Sequence, residues 1–151
     1  MATNTPQHDY SSFHTMRGNF GSVLTVAFSP QGTLVAYGTS EGVLRIESLR
    51  DDGDLLLDIK LRSAVTSLIW NPDQARTSLF AGEVNGHIHR VAYVPSGSPF
   101  MDSYGEGQGS PINALVIEQE SKILIAAAGG MICFYNLEQQ GDAEVNLGDS
   151  I

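Results

Sequence analysis

Basic residues are scarce in this sequence. Only 8 Lys plus Arg stand against 17 Asp plus Glu among 151 residues, a formal net charge of −9. Nucleic-acid affinity rests largely on Lys and Arg displacing counterions from phosphates. A surface this acidic therefore argues against nucleic acid as a partner, and equally against docking on anionic membranes. Cysteine is nearly absent too. The single one, Cys133, excludes any intramolecular disulfide and sits in an apolar run, where it reads as a small buried hydrophobe. No apolar run approaches the ~20 residues that span a bilayer. The opening "MATNTPQHDYSSFH" lacks the apolar core of a secretion signal, and no Asn-x-Ser/Thr glycosylation site occurs. These absences suit a reducing compartment and give the expectation of an intracellular protein, cytoplasmic or nuclear.

What is present points to strands. Sixteen glycines accompany many Val, Ile, Leu, Thr and Tyr, and no segment carries a helical period. The length suffices for one domain with a core. The stretch "VLTVAFSP" (23–30) superposes on "VTSLIWNP" (65–72) at a shift of 42, and "INALVI" (112–117) follows as a third copy without the proline. Downstream, "GTSEGVLRIESL" (38–49), "GEVNGHIHRVAY" (82–93) and "AAAGGMICFYNL" (126–137) recur at a constant shift of 44. Gly42, Gly86 and Gly130 share one slot, as do Leu44, Ile88 and Ile132. Three occurrences at one period mark a repeat.

Each unit reads as four short strands. The first predicts 22–29, 33–39, 43–49 and 55–61; the second 65–70, 78–83, 87–93 and a weak 98–104; the third 112–117, 122–128, 131–137 and 143–147. Turns such as Pro30-Gln31-Gly32 and Ser40-Glu41-Gly42 are short enough only for antiparallel hairpins. Leu44 and Ile46 alternate with Arg45 and Glu47, the period of a half-buried strand. Glycines at 42, 86 and 130 fit turns that need a positive φ. The Gly/Ser/Pro-rich stretch 95–111 reads as a surface loop enclosing a poor outer strand.

Four antiparallel strands repeated at this spacing match the blade of a β-propeller. The first unit, "VLTVAFSPQGTLVAYGTSEGVLRIESL", resembles the WD40 repeat family, and the resemblance extends over about residues 18–147. It implies an all-β fold of about three WD40-like, four-stranded blades in an incomplete ring, with units near 18–61, 62–104 and 105–147 inside a domain 18–151. Residues 1–17 form a poorly patterned N-terminal segment. The departures are specific. The family's Gly-His appears as Gly18-Asn19, Lys60-Leu61 and Gly107-Gln108, its turn Asp as Glu41, Asn85 and Gly129, and its Trp as Glu47, Val91 and Tyr135. The buried His–Ser/Thr–Asp–Trp network of such blades is therefore expected to be missing, with packing and hairpin bonds in its place. Trp70, ending the inner strand of the second unit, is expected to be buried against the neighbouring blade.

No constellation for catalysis emerges. "GTSEG" (38–42) has the spacing of a nucleophile elbow, but a strand follows it where that motif needs a helix, so Ser40 is a hairpin residue. "GEGQGS" (105–110) also lacks the helix N-terminus of a phosphate cradle, and "EQQGDAE" (138–144) reads as a solvated acidic turn. His87 and His89, two apart on a strand, share a face, and with Glu83 they are the one candidate metal set. His8 and His14 are unremarkable. No cofactor is expected.

By resemblance, the expected function is a non-catalytic protein-interaction scaffold whose partners are other proteins. The alternatives are a metal-binding or enzymatic β-protein using His87 and His89, and a degenerate fragment without a function of its own. In the family's blades, the loops before the first strand and between the second and third strands share one rim. Here that rim would gather Asn19, Phe20, Ser22, Glu41, Arg62, Ala64, Glu83 and Asn85. Phe20 and Arg62 are of types that anchor interfaces, although Phe20 has the alternative of tucking under its own hairpin. Closed propellers have about four to eight blades, so a three-blade unit leaves its first and third blades open on one face. Self-association through those faces, blades from another chain, or a longer parent protein would each close the ring. The last is the favoured expectation, because neither "YSSFHTMR" nor "AEVNLGDS" reads as a polar cap.

Overall fold

The computed structural model describes residues 15, 17–50, 53–73, 77–95, 97–104, 109–138 and 145–146. His8, His14, most of the glycine-rich stretch 105–110 and most of the acidic turn 138–144 lie outside the described residues. Among the described residues, twelve strands form three four-stranded antiparallel sheets and there is no helix. The first blade comprises β1 (Val23–Phe28), β2 (Leu34–Thr39), β3 (Val43–Ser48) and β4 (Leu55–Lys60). The second comprises β5 (Val65–Trp70), β6 (Ser78–Glu83), β7 (Ile88–Ala92) and β8 (Phe100–Tyr104). The third comprises β9 (Ile112–Glu118), β10 (Ile123–Ala128), β11 (Met131–Asn136) and β12 (Val145–Asn146). Within each blade every strand pairs with the next in sequence, the simple meander that short turns dictate.

The register explains the burial. Gly38 pairs Leu44, Gly82 pairs Ile88, and Ala127 pairs Ile132, so these pairs occupy one slot in successive blades. Phe28, Trp70 and Ile117 likewise share a slot, paired with Val35, Leu79 and Leu124. Because side chains alternate across a strand, each blade presents one apolar set forward and another backward. Leu44, Ile46 and Leu57 of the first blade meet Trp70, Leu79 and Val91 of the second in one core cluster. Phe80 and Ile88, on the other face of the second blade, meet Ile112, Leu124 and Cys133 of the third in another. The middle blade is thus covered on both sides, and every residue of β6 is buried.

Each seam also carries a hydrogen bond. The Trp70 indole Nε1 donates to the Ala27 carbonyl at 2.9 Å across the first seam, as befits a buried Trp whose N–H needs an acceptor. Thr66 Oγ1 donates to the Ile112 carbonyl at 2.6 Å across the second. Among the described residues, the outer faces have no such partner. Leu24, Val26 and Phe28 stand exposed on the first blade, and Val116 and Ile132 on the third. The three blades make an incomplete ring.

Two expectations need correction. The positive-φ glycines of the β2–β3 and β6–β7 turns are Gly42 and Gly86, at +81° and +90°, but in the third blade the position moves to Gly129, at +58°. Ala128 pairs directly with Met131 there, leaving a two-residue hairpin loop, shorter than its counterparts. A constant shift of 44 therefore misassigns that turn by one residue. The blades are also not without buried polar bracing; the bracing uses other residues, described next.

Candidate functional site

The rim is built by strand ends that hold one another. Ser40 N–H donates to the Ser22 carbonyl at 2.8 Å, and Ser22 N–H to Ser40 Oγ at 3.0 Å, tying the loop before β1 to the β2–β3 turn. Gly21, in the left-handed region at φ +88°, lies so close to Glu41 that a Cβ there would stand 2.5 Å from Glu41 Cγ. Gly42 in turn backs against the chain entering the second blade, whose Leu61 and Ser63 carbonyls would each be 2.9 Å from an added Cβ. The second blade repeats the arrangement, with Val84 N–H donating to the Ala64 carbonyl at 2.9 Å and Asn85 N–H to Ser63 Oγ at 3.4 Å.

Of the expected rim residues, Asn19, Ser22, Glu41 and Arg62 are exposed, while Ala64 and Asn85 are half-buried. Ser22 and Glu41 come together in one blade, Ala64 and Asn85 in the next. Two others depart from the expectation. Phe20 is buried against Tyr37, ring centroids 5.5 Å apart, with the Arg45 guanidinium 4.6 Å from its ring centre. It is a packing residue of the first blade rather than an exposed anchor, because covering an aromatic ring this way removes it from water. Glu83 is fully buried.

Glu83 organises the bracing that the sequence did not suggest. Its Oε2 accepts from Ser63 Oγ at 2.8 Å and Ser63 N–H at 3.2 Å. Its Oε1 lies 2.8 Å from His89 Nε2, an ion-pair distance off the line of a good hydrogen bond, and has no aligned donor. A buried carboxylate is tolerated when charge-assisted partners surround it. In the first blade the same slot holds Thr39, whose Oγ1 accepts from Val43 N–H at 3.1 Å and Glu41 N–H at 3.3 Å. Tyr37 adds a buried hydrogen bond, its hydroxyl donating to Glu47 Oε1 at 2.7 Å. Burial above all, reinforced by Glu47, pushes the Tyr37 phenol up to about 12. No local signal marks Ser63 or His89 for this role, since their partner is brought to them by the fold.

The metal alternative loses its set. His87 and His89 do share a face, their rings stacked 6.1 Å apart. Among the described residues, however, no three of His, Cys, Asp and Glu converge as a metal ion needs; His89 is engaged with Glu83, and His87 is stacked on it. At the opposite end of the sheets, a groove of about 690 Å³ runs between the second and third blades past Asn71, Asp73, Arg90, Gln119 and Lys122. Its cations are already engaged, Arg90 by Asp102 and Lys122 by Glu138.

Comparison with known proteins agrees with this geometry. The family model for the WD domain, G-beta repeat, matches residues 10–46, a stretch that takes in β1, β2 and most of β3. Among solved structures, the crystal structure of the computationally designed Ika4 protein superposes with a TM-score of 0.67 at 22% identity, over 84% of this chain and 73% of that one. At that identity the likeness concerns the fold alone. No curated protein matches the sequence.

Proposed function

We propose that this chain is a protein–protein interaction scaffold of the WD40 type, non-catalytic, working inside the cell as a portion of a larger propeller. WD40 repeats generally mediate contacts between proteins. The observation that carries the reading is the rim, where exposed Asn19, Ser22, Glu41 and Arg62 sit on loops locked by strand-end hydrogen bonds. A surface held in one conformation loses little entropy when a partner docks. The open blade faces offer a second surface, suited to association between blades, and the lone buried thiol suits a reducing compartment.

Affinity capture from the native cell tests the scaffold reading. The Glu41→Ala/Arg62→Ala double variant should lose partners that the parent chain retains, with its melting temperature nearly unchanged, since both side chains project into solvent. Undiminished capture would reject this rim, and a steep drop in melting temperature would make these residues structural.

A further inference from the structure

We infer that two copies of this chain close head to tail into one six-bladed ring, the first blade of each seated on the third blade of the other. The inference rests on reading the chain as a portion of a propeller, and it names what supplies the rest.

The open faces are the two halves of a seam that the molecule already makes twice. Trp70, with a blade in front of it, is 5% exposed; Phe28, in the same slot of the first blade, is 66% exposed. On the forward side, Leu44 and Ile88 are 0% exposed where a blade follows, while Ile132 in their slot of the third blade is 49% exposed. Val116 occupies the slot of Ala27 and Ile69, both of which pack into seams. Seating Phe28 of one copy over Val116 of the other thus continues the contact that Trp70 makes over Ala27. The Phe28 side chain has no N–H, so it demands no acceptor from its new neighbour.

Few charges lie on the two open faces, with Lys60 at the end of β4 on the first blade and Glu118 at the end of β9 on the third as exposed ones. Arg45 on the first blade is bound to Asp58 at 3.0 Å and Glu47 to the Tyr37 hydroxyl. On the third, the forward positions at the middle of the face, Val116, Ile125, Ala127, Ile132 and Phe134, are uncharged, and Glu118 stands at the end of β9 away from Ile132. Closure arithmetic selects the number of copies. Multiples of three blades give three, six or nine, and only six lies within the ~4–8 blades of closed propellers. A two-copy ring forms two identical seams at once. If each open face contributes roughly 500 Å², the pair buries about 2,000 Å², the size of a stable specific interface. The contact is heterologous, and the ring closes it, so association stops at two.

The test uses the full chain and sedimentation equilibrium at micromolar concentration. The parent should sediment as a dimer. Val26→Asp and Ile132→Asp each place a charge in a different half of the seam, on side chains that are exposed in the single chain, so each variant should fold and sediment as a monomer, its dissociation constant raised at least about a hundredfold. Circular dichroism should show the parent's strand content in both. Mixing the two variants should restore heterodimers, because one of the two seams then joins unaltered faces. A monomeric parent, a dimer that survives either substitution, as like-with-like pairing would allow, or growth beyond two copies would each overturn the ring. Loss of the dimer with partner capture intact would refute this inference alone. Loss of capture in the Glu41/Arg62 variant of an intact dimer bears only on the rim.

Discussion

Tyr37 stands at the junction of packing and polarity in the first blade, buried under Phe20 and donating to Glu47. Its raised pKa fixes the sign of its effect on stability. Below about 10 the phenol is protonated in both the folded and the unfolded chain, and its contribution is complete. Between about 10 and 12 the unfolded chain releases the proton while the fold still retains it, so stability falls as pH rises through that window. In an alkaline titration followed by phenolate absorbance, one of the five tyrosines should therefore ionise late. Tyr37→Phe should abolish that late step, and by leaving Glu47 Oε1 without its donor should cost about 1–3 kcal/mol at neutral pH. Five tyrosines titrating together would contradict the burial. At this scale the sequence was legible where one residue sufficed. Trp70 announced its burial as an aromatic in the inner-strand slot. Phe20 did not, because the ring it rests on and the guanidinium that covers it arrive from β2 and β3. Nor did Glu83, whose carboxylate meets Ser63 and His89 only once the strands of the second blade have come together.

Strands were the most readable elements, since hairpin turns and alternation are local properties. Every expected strand is present within two residues of its expected ends, and the weak outer strand of the second blade is the exposed β8. The misplaced third turn shows the limit: two adjacent glycines look alike in sequence, and the loop length decides which takes the positive φ. How closely blades approach was not legible at all, and the glycines of β2 and β6 report it. A Cβ on Gly38 would stand 2.4 Å from Val65 Cγ1, and one on Gly82 would stand 2.5 Å from Ile112 Cγ2. The inner strand of the next blade presses on each. Ala127, in the same slot of the third blade, bears a Cβ with no blade beyond it in the single chain. Gly38→Ala and Gly82→Ala should each destabilise the chain by about 1–3 kcal/mol through overpacking, read as a lower urea midpoint with the slope unchanged. Midpoints equal to the parent's would mean the seams are looser than described.

The whole molecule is a stack whose middle layer is held from both sides, with two separate apolar clusters and two polar stitches between layers. Sequence repetition was enough to reveal three blades and an open ring, because each repeat is the same answer to the same packing problem. It was not enough to separate the rim from the interior, as that depends on which ends of the strands meet. The one thiol of the chain turns this architecture into a clock. Cys133 lies at zero exposure within the second cluster, out of reach of any alkylating reagent until the second and third blades part. With reagent in excess, the rate at which the chain acquires a single label reports how often that seam opens. Gly82→Ala, which crowds the same seam, should quicken labelling, whereas Gly38→Ala, on the far side of the middle blade, should leave it nearly unchanged. Equal acceleration by both would mean that the seams open together, as one cooperative unit.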